Sequence, residues 1–244
     1  MKKLFLLVLI FLPLIGLNAQ SAGSVKWIAK FGAAGGFTPL VFFPNYDALN
    51  NQLPGFGVDK LNGSLITFGG GGYAYTMLVD NLRIGGLGFG GSKSVKNSLN
   101  GIDRQVDYSF GGGAFTIEYT FPFIKKIAVS VGAMIGGGSL EVDVYSNDGN
   151  FDWNNLWNGI NNNKSDNKNV SKHLKNSFFS LAPTINVDVP INRFMALRIG
   201  SGYLLNIGST WKIDNDRVLN NVPSGLNGNS FFIQTGVFLG FFAF

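Results

Sequence analysis

Very short and very long connections alternate strictly between the Gly- and Phe-rich segments of this chain, and few β architectures tolerate that pattern. Eight segments have period-2 character: 25–37, 63–79, 82–94, 104–120, 127–145, 176–189, 194–213 and 229–244. Asp80-Asn81, the Phe121 to Lys126 turn around Pro122, and the Pro190 to Arg193 turn are short, whereas 38–62, 95–103, 146–175 and 214–228 are mostly long, polar and Asn-rich. This is the asymmetry of a membrane-spanning antiparallel barrel, with short turns on the periplasmic side and longer loops outside. Closure is required there, because lipid offers no partner for the hydrogen-bonding groups of a free sheet edge. The sequence therefore predicts an all-β fold, an eight-stranded antiparallel transmembrane β-barrel with both termini in the periplasm.

The first residues agree with export. Lys2 and Lys3 form a basic start, Leu4 to Ile15 a nearly continuous apolar run broken by Pro13, and Leu17-Asn18-Ala19 a small-residue cleavage site before Gln20. The run is shorter than the roughly 20 residues a spanning helix needs, and no later stretch approaches 18 apolar residues. The expected organisation is a signal peptide over 1–19 and one barrel domain over 20–244, in the outer membrane of a two-membrane bacterium. No Cys follows the cleavage site, so a lipoprotein is excluded, and with Cys 0 there is no disulfide framework or thiolate metal site. Charged residues at 14% are low against the ~25% of soluble domains. The formal charge of +5 loses two with Lys2 and Lys3, and the remaining basic residues are scattered rather than striped, which argues against nucleic acid.

The strand faces can be read in three places. In 176–189, Phe179, Leu181, Pro183, Ile185, Val187 and Val189 share one face, opposite Ser180, Ala182, Thr184, Asn186 and Asp188. In 104–120, Phe115, Ile117, Tyr119 and Phe121 oppose Ala114, Thr116, Glu118 and Thr120. In 194–213, Leu197, Ile199, Tyr203, Leu205, Ile207 and Trp211 oppose Arg198, Gly200, Gly202, Asn206 and Gly208. Arginine at the bilayer midplane on the lipid face costs about 2–4 kcal/mol, so the register with Arg198 inside is favoured. Segments 25–37 and 82–94 are less clean, because Gly-rich runs such as Gly85-Gly86-Leu87-Gly88 weaken the alternation. A soluble β-sandwich would carry more Lys, Glu and Thr on its wet faces, and a β-solenoid would show a fixed short repeat that is not visible here.

Phe238, Gly240, Phe242 and the terminal Phe244 repeat at period 2 and end on an aromatic residue. This ending is similar to the assembly signal of outer-membrane barrels, and the whole mature chain resembles the small OmpA/OmpX-like and OmpW-like barrels in architecture. The resemblance implies insertion by the outer-membrane barrel assembly machinery. It identifies no subfamily and carries no functional residue over.

Motifs that suggest chemistry fail on context. Gly86-Leu87-Gly88-Phe89-Gly90-Gly91 fits G-x-G-x-x-G, but it lies within a strand followed by a polar loop rather than entering a helix. His173 is the only histidine; a Ser/His/carboxylate hydrolase, as in barrels that deacylate lipid A, would recruit Ser171, Ser177 and Asp166 by proximity in sequence alone. Asn147-Asp148-Gly149-Asn150 with Asp152 offers oxygen ligands without EF-hand spacing and reads as a turn. No catalytic residue, metal ligand or cofactor is expected.

Two loops carry apolar stripes. Asp152 can cap a helix on which Trp153, Leu156, Trp157 and Ile160 share a face, and Asn45 can cap a turn carrying Tyr46, Leu49 and Leu53, stopped by Pro54-Gly55, with Phe42 and Phe43 just before it. Phe42, Phe43, Tyr46, Trp153 and Trp157 are therefore candidate contacts at the mouth: passive packing on the rim, a partner surface, or a gate for a small apolar or sugar-like ligand. A second candidate lies deeper. Arg83, Glu118, Asp188 and Arg198 each fall a few residues from a short turn and point inward, which predicts a charge network closing the lumen below, with small Gly, Ala and Ser side chains above it leaving a pocket open to the outside or to the bilayer. The competing expectation is that these charges snorkel at the headgroup level. The function expected is a non-enzymatic outer-membrane protein, envelope-structural or binding or passing small molecules, bathed in outer-membrane lipid. The alternatives are a lipid-modifying barrel enzyme and a surface adhesion barrel.

Overall fold

The computed structural model describes residues 31–76, 78–122, 127–149, 152–161, 169–208 and 210–243. The export segment, the start of the expected 25–37 strand and Phe244 lie outside the described residues. Eleven strands follow in order: β1 (Phe31–Phe37), β2 (Leu40–Pro44), β3 (Leu65–Tyr75), β4 (Leu82–Leu99), β5 (Ile102–Thr120), β6 (Ala128–Asn147), β7 (Val170–Asn192), β8 (Met195–Ile207), β9 (Trp211–Ile213), β10 (Arg217–Leu219) and β11 (Ser230–Ala243).

β1 and β2 form one barrel strand. They keep the same register against β3 and β11, broken only at Thr38-Pro39, where proline has no N–H to give the ladder. With that strand counted once, β3 to β8 and β11 complete an antiparallel ring of eight, closed where β11 pairs with β8 on one side and β1/β2 on the other. The burial pattern is that of a barrel in an apolar solvent. Phe115, Ile117 and Tyr119 on β5 and Ile199, Tyr203 and Leu205 on β8 are exposed, while Thr116, Glu118, Thr120 and Arg198 between them are buried.

Several expected boundaries move. The 38–62 loop begins only after Pro44, so Phe42 and Phe43 are strand residues on opposite faces. The 95–103 loop is absent: β4 and β5 continue past it and join through Asn100-Gly101, whose φ of 54° and 72° make the tight turn that matches strand twist. β7 starts at Val170, well inside the expected 146–175 loop, and runs through Pro190 to Asn192 with a bulge rather than turning at Pro190. β8 stops at Ile207, and Gly208, with φ 149°, redirects the chain so that Trp211 packs inside instead of continuing the outward face. The small β9–β10 hairpin starts inside the expected 194–213 strand and ends inside the expected 214–228 loop, and it is tied to β7 by Leu174 opposite Ile213.

Among the described residues three helices sit in the long connections: α1 (Asp47–Asn50), α2 (Leu53–Phe56) and α3 (Trp153–Asn161). Asn45 Oδ1 accepts from the Asp47 N–H at 2.7 Å. Pro54 and Gly55 lie within α2 rather than stopping it, because proline fits the first helical turn, and Gly57 at φ 85° ends it instead. Asn50 then pins the returning loop by exchanging two hydrogen bonds with the Leu61 backbone, at 2.9 and 2.8 Å.

Candidate functional site

The strand alternation that sends Arg83 of β4, Glu118 of β5, Asp188 of β7 and Arg198 of β8 inward also brings their heads together. Their relative exposures are 1%, 3%, 3% and 7%, which leaves no water-facing head for snorkelling. Arg198 grips both carboxylates bidentately, Asp188 at 2.6 and 3.0 Å and Glu118 at 3.0 and 3.1 Å. Arg83 donates to Glu118 at 2.6 Å, to Ser130 of β6 at 2.6 Å and to Asp188. Asn186 adds a donor to Glu118 at 3.2 Å and is itself held by Gln234 of β11. Two guanidiniums and two carboxylates cancel, so the cluster is a neutral, cross-linked disc spanning the lumen.

Apolar layers lie on both sides of that disc. Toward the short-turn end, Ala34, Tyr73, Tyr75, Ala196 and Phe238 form a small core. The Tyr73 ring lies 4.7 Å from the Arg83 guanidinium and 4.8 Å from that of Arg198, close enough for cation–π attraction in a desolvated site. Toward the long-loop end is a cavity of about 20 Å³ bordered by Thr38, Glu118, Thr184, Arg198 and Gln234, room for a single water. The hydroxyls of Thr38 and Thr184 have no protein partner, which suits such a guest.

Beyond the cavity the sequence-level expectation of an open pocket is overturned. Large apolar side chains fill the upper barrel between its inward glycines: Phe42, Phe89, Phe110, Phe178 and Phe232 meet there, with Phe42 at the centre and its ring 5.2 Å from both Phe89 and Phe110 and 5.4 Å from Phe232. Gly202 makes room for this layer, since a Cβ there would fall 2.6 Å from the Phe232 ring tip. Above it Tyr46 meets Tyr108 edge-on at 5.1 Å, and Leu53, Val58, Leu61 and Leu226 complete the cover. Burial pushes the Tyr46 hydroxyl from 10.0 up to about 12, so this cover is expected to loosen only in strongly alkaline solution, where unfolding lets the phenol ionise.

The other candidate aromatics lie elsewhere. Phe43 faces outward against Phe231 at 6.0 Å. Trp153 and Trp157 touch each other at 5.8 Å but are 71% and 46% exposed, so among the described residues the packed cover comes from the first long loop and Leu226 rather than from α3. His173 also faces outward, above the apolar wall, with its Nδ1 2.6 Å from Asp143 of β6. Asp166 lies outside the described residues, and among those described neither Ser171 nor Ser177 hydrogen-bonds the ring. Sequence proximity had missed Asp143; the signal for it was the β6–β7 register, which sets the two residues directly opposite. Among the described residues no group of three or more metal-ligating side chains occurs.

No protein-family model and no curated protein sequence matches the chain. Among solved structures, the outer membrane protein OprG from Pseudomonas aeruginosa is 13% identical over 90% of this chain and 100% of its own, with a TM-score of 0.49. A major outer membrane protein from Thermus thermophilus is 9% identical over 86% and 99%, at 0.45. Ail, the attachment invasion locus protein of Yersinia pestis, is 12% identical over 87% and 99%, at 0.44. At these identities no residue role is carried across.

Proposed function

We propose that the protein is an integral outer-membrane barrel that does not conduct, serving the envelope as a sealed structural and surface-binding element. The observation that carries this reading is the double closure of the lumen: a neutral charge disc below and a layer of stacked phenylalanines above. Either layer alone obstructs an eight-stranded barrel, whose interior side chains nearly fill. The membrane placement is supported by the outward apolar belt. On β5 it runs from Tyr119 to Gly111 and on β6 from Val129 to Gly137, about the nine residues a tilted strand needs to cross. Above it come Ser109, Asp107 and Gln105, and Ser139, Glu141 and Asp143. In proteoliposomes the protein is expected to admit no sugar that swells porin-containing vesicles; swelling at porin-like rates would contradict the reading.

Orientation follows from the positions of the turns. Protease applied to intact cells is expected to cut near 161–168 and in 214–228 and to spare Asp80-Asn81; cutting at the short turns would invert the topology.

The Asp143–His173 pair favours one further reading, a lipid-modifying enzyme working on the outer wall, because a carboxylate orients the imidazole there. Among the described residues no nucleophile hydrogen-bonds the other ring nitrogen, and the contact is a hydrogen-bonded pair on a polar surface. His173→Ala is expected to leave the lipid A acylation profile of expressing cells unchanged; a changed profile would make the pair catalytic.

A further inference from the structure

Around most of the barrel the upper half of the lipid-facing belt is built of large side chains, but across β4, β5 and β6 it is bare. One rung of cross-strand neighbours reads Gly70, Gly88, Gly113, Gly137, and the next above it continues with Gly90 and Gly111. Phe68 at 61%, Phe115 at 77% and Phe179 at 51% exposure stand around this hollow. The barrel itself does not require glycine at the centre of this hollow, at Gly88, Gly90 and Gly113, whereas a Cβ on Gly70, Gly111 or Gly137 would press on neighbouring backbone at 3.3, 3.1 and 3.0 Å. A Cβ on Gly90 would meet nothing within 4 Å, and on Gly88 or Gly113 nothing nearer than 3.7 Å. The inward-facing Gly69, Gly112 and Gly136 differ, since a Cβ on each would collide with the facing strand's backbone.

Directly above the hollow the same outer wall is concave and polar. A cavity of about 400 Å³ lies over Gly111, Ser92, Ser109, Ser139 and Glu141, straddling the line where the apolar belt ends. It adjoins a second of about 800 Å³ formed by Lys96, Gln105, Asp107, Tyr145 and Asn147 with Asp103, and both volumes are ligand-sized. Gln105 is held by two bonds to Asp107, at 2.8 and 2.7 Å, beside the half-buried Tyr145 ring. Amides, hydroxyls and carboxylates around an aromatic face match the vicinal hydroxyls and apolar underside of a sugar. The charge selects further. Of the charged groups lining the two cavities, Asp103, Asp107 and Glu141 stand against Lys96 and Arg104, the latter lying over the Phe56 ring, so the trough has no surplus of positive charge with which to hold a phosphorylated headgroup.

We propose that this wall is a binding site for one lipid with an uncharged sugar headgroup, its acyl chain laid along the bare glycines and its sugar seated between Ser109 and Tyr145. The site rests on the outer-membrane reading and on nothing inside the lumen. The test refolds the mature protein into phosphatidylcholine vesicles holding equal small fractions of glucosyl-diacylglycerol and phosphatidylglycerol, then counts retained lipids by native mass spectrometry. One glucosyl lipid is expected to be retained about tenfold above its share of the bilayer, an affinity edge of ~1.4 kcal/mol. Gly88→Leu with Gly113→Leu, which fills the hollow, and Gln105→Ala with Tyr145→Ala, which strips the sugar trough, are each expected to abolish that excess. The second pair lies above the bilayer and reads the site even if the first hinders insertion. Equal retention of both lipids, or an excess unaffected by the trough variant, overturns the proposal. A doubled mass that the leucines abolish also overturns it, by assigning the hollow to a second copy. Failure of the unmodified protein to insert would instead count against the outer-membrane reading.

Discussion

Replacing Glu118 by alanine is expected to cost about 3–5 kcal/mol of folded stability, because it strips a carboxylate from two buried guanidiniums at once. Arg83 would keep Asp188 and Ser130, and Arg198 would keep Asp188, leaving a net positive disc inside a water-poor lumen. The unfolding midpoint in urea, measured in vesicles, reads the loss. Glu118→Met with Arg198→Met removes opposite charges together and keeps the Arg83–Asp188 pair, so it is expected to recover most of the stability. A single replacement with unchanged midpoint would show that Glu118 does not hold the disc.

Phe42→Ala is expected to cost a similar ~3–5 kcal/mol, for a different reason. The ring is 1% exposed and touches three other phenylalanines, so its loss leaves a void that a closed wall cannot collapse to fill. Phe43, one residue on, is 47% exposed on the outer face, where lipid replaces any ring removed, and Phe43→Ala is expected to cost far less. The same unfolding assay compares them, and a larger loss at Phe43 would reverse the register of β2.

The eight-strand order and the inward direction of the four charges were legible because a charge can face only one way in a wall bathed in lipid. β7 shows this most plainly, with Asp188, Asn186 and Thr184 alternating against Val189, Val187 and Ile185. The upper lumen was not legible. Val106, Tyr108 and Phe110 share the parity of Glu118 and point inward on β5, but apolar side chains suit lipid as well as a packed lumen, so nothing in their chemistry marked the lumen there as filled. The expected open pocket followed from reading inward glycines as lining rather than as space taken by neighbouring rings. Asn100-Gly101 did carry its signal, a hairpin dipeptide between alternating residues, but the polar residues around it resembled a loop. Trp211 changed sides because one glycine shifts the phase of everything after it, and periodicity cannot report where such a shift falls.

The upper layer also changes what Glu118 alone can do. With the phenylalanines in place, Glu118→Ala is expected to destabilise the barrel without opening it, and current should rise only when Phe42 is replaced as well. Single-channel recording of the unmodified protein in a planar bilayer tests the double closure most directly. A flat baseline is expected from inserted, folded protein, with steady openings from the Glu118→Ala, Phe42→Ala double variant if it still folds. A large steady conductance from the unmodified protein would contradict a sealed lumen.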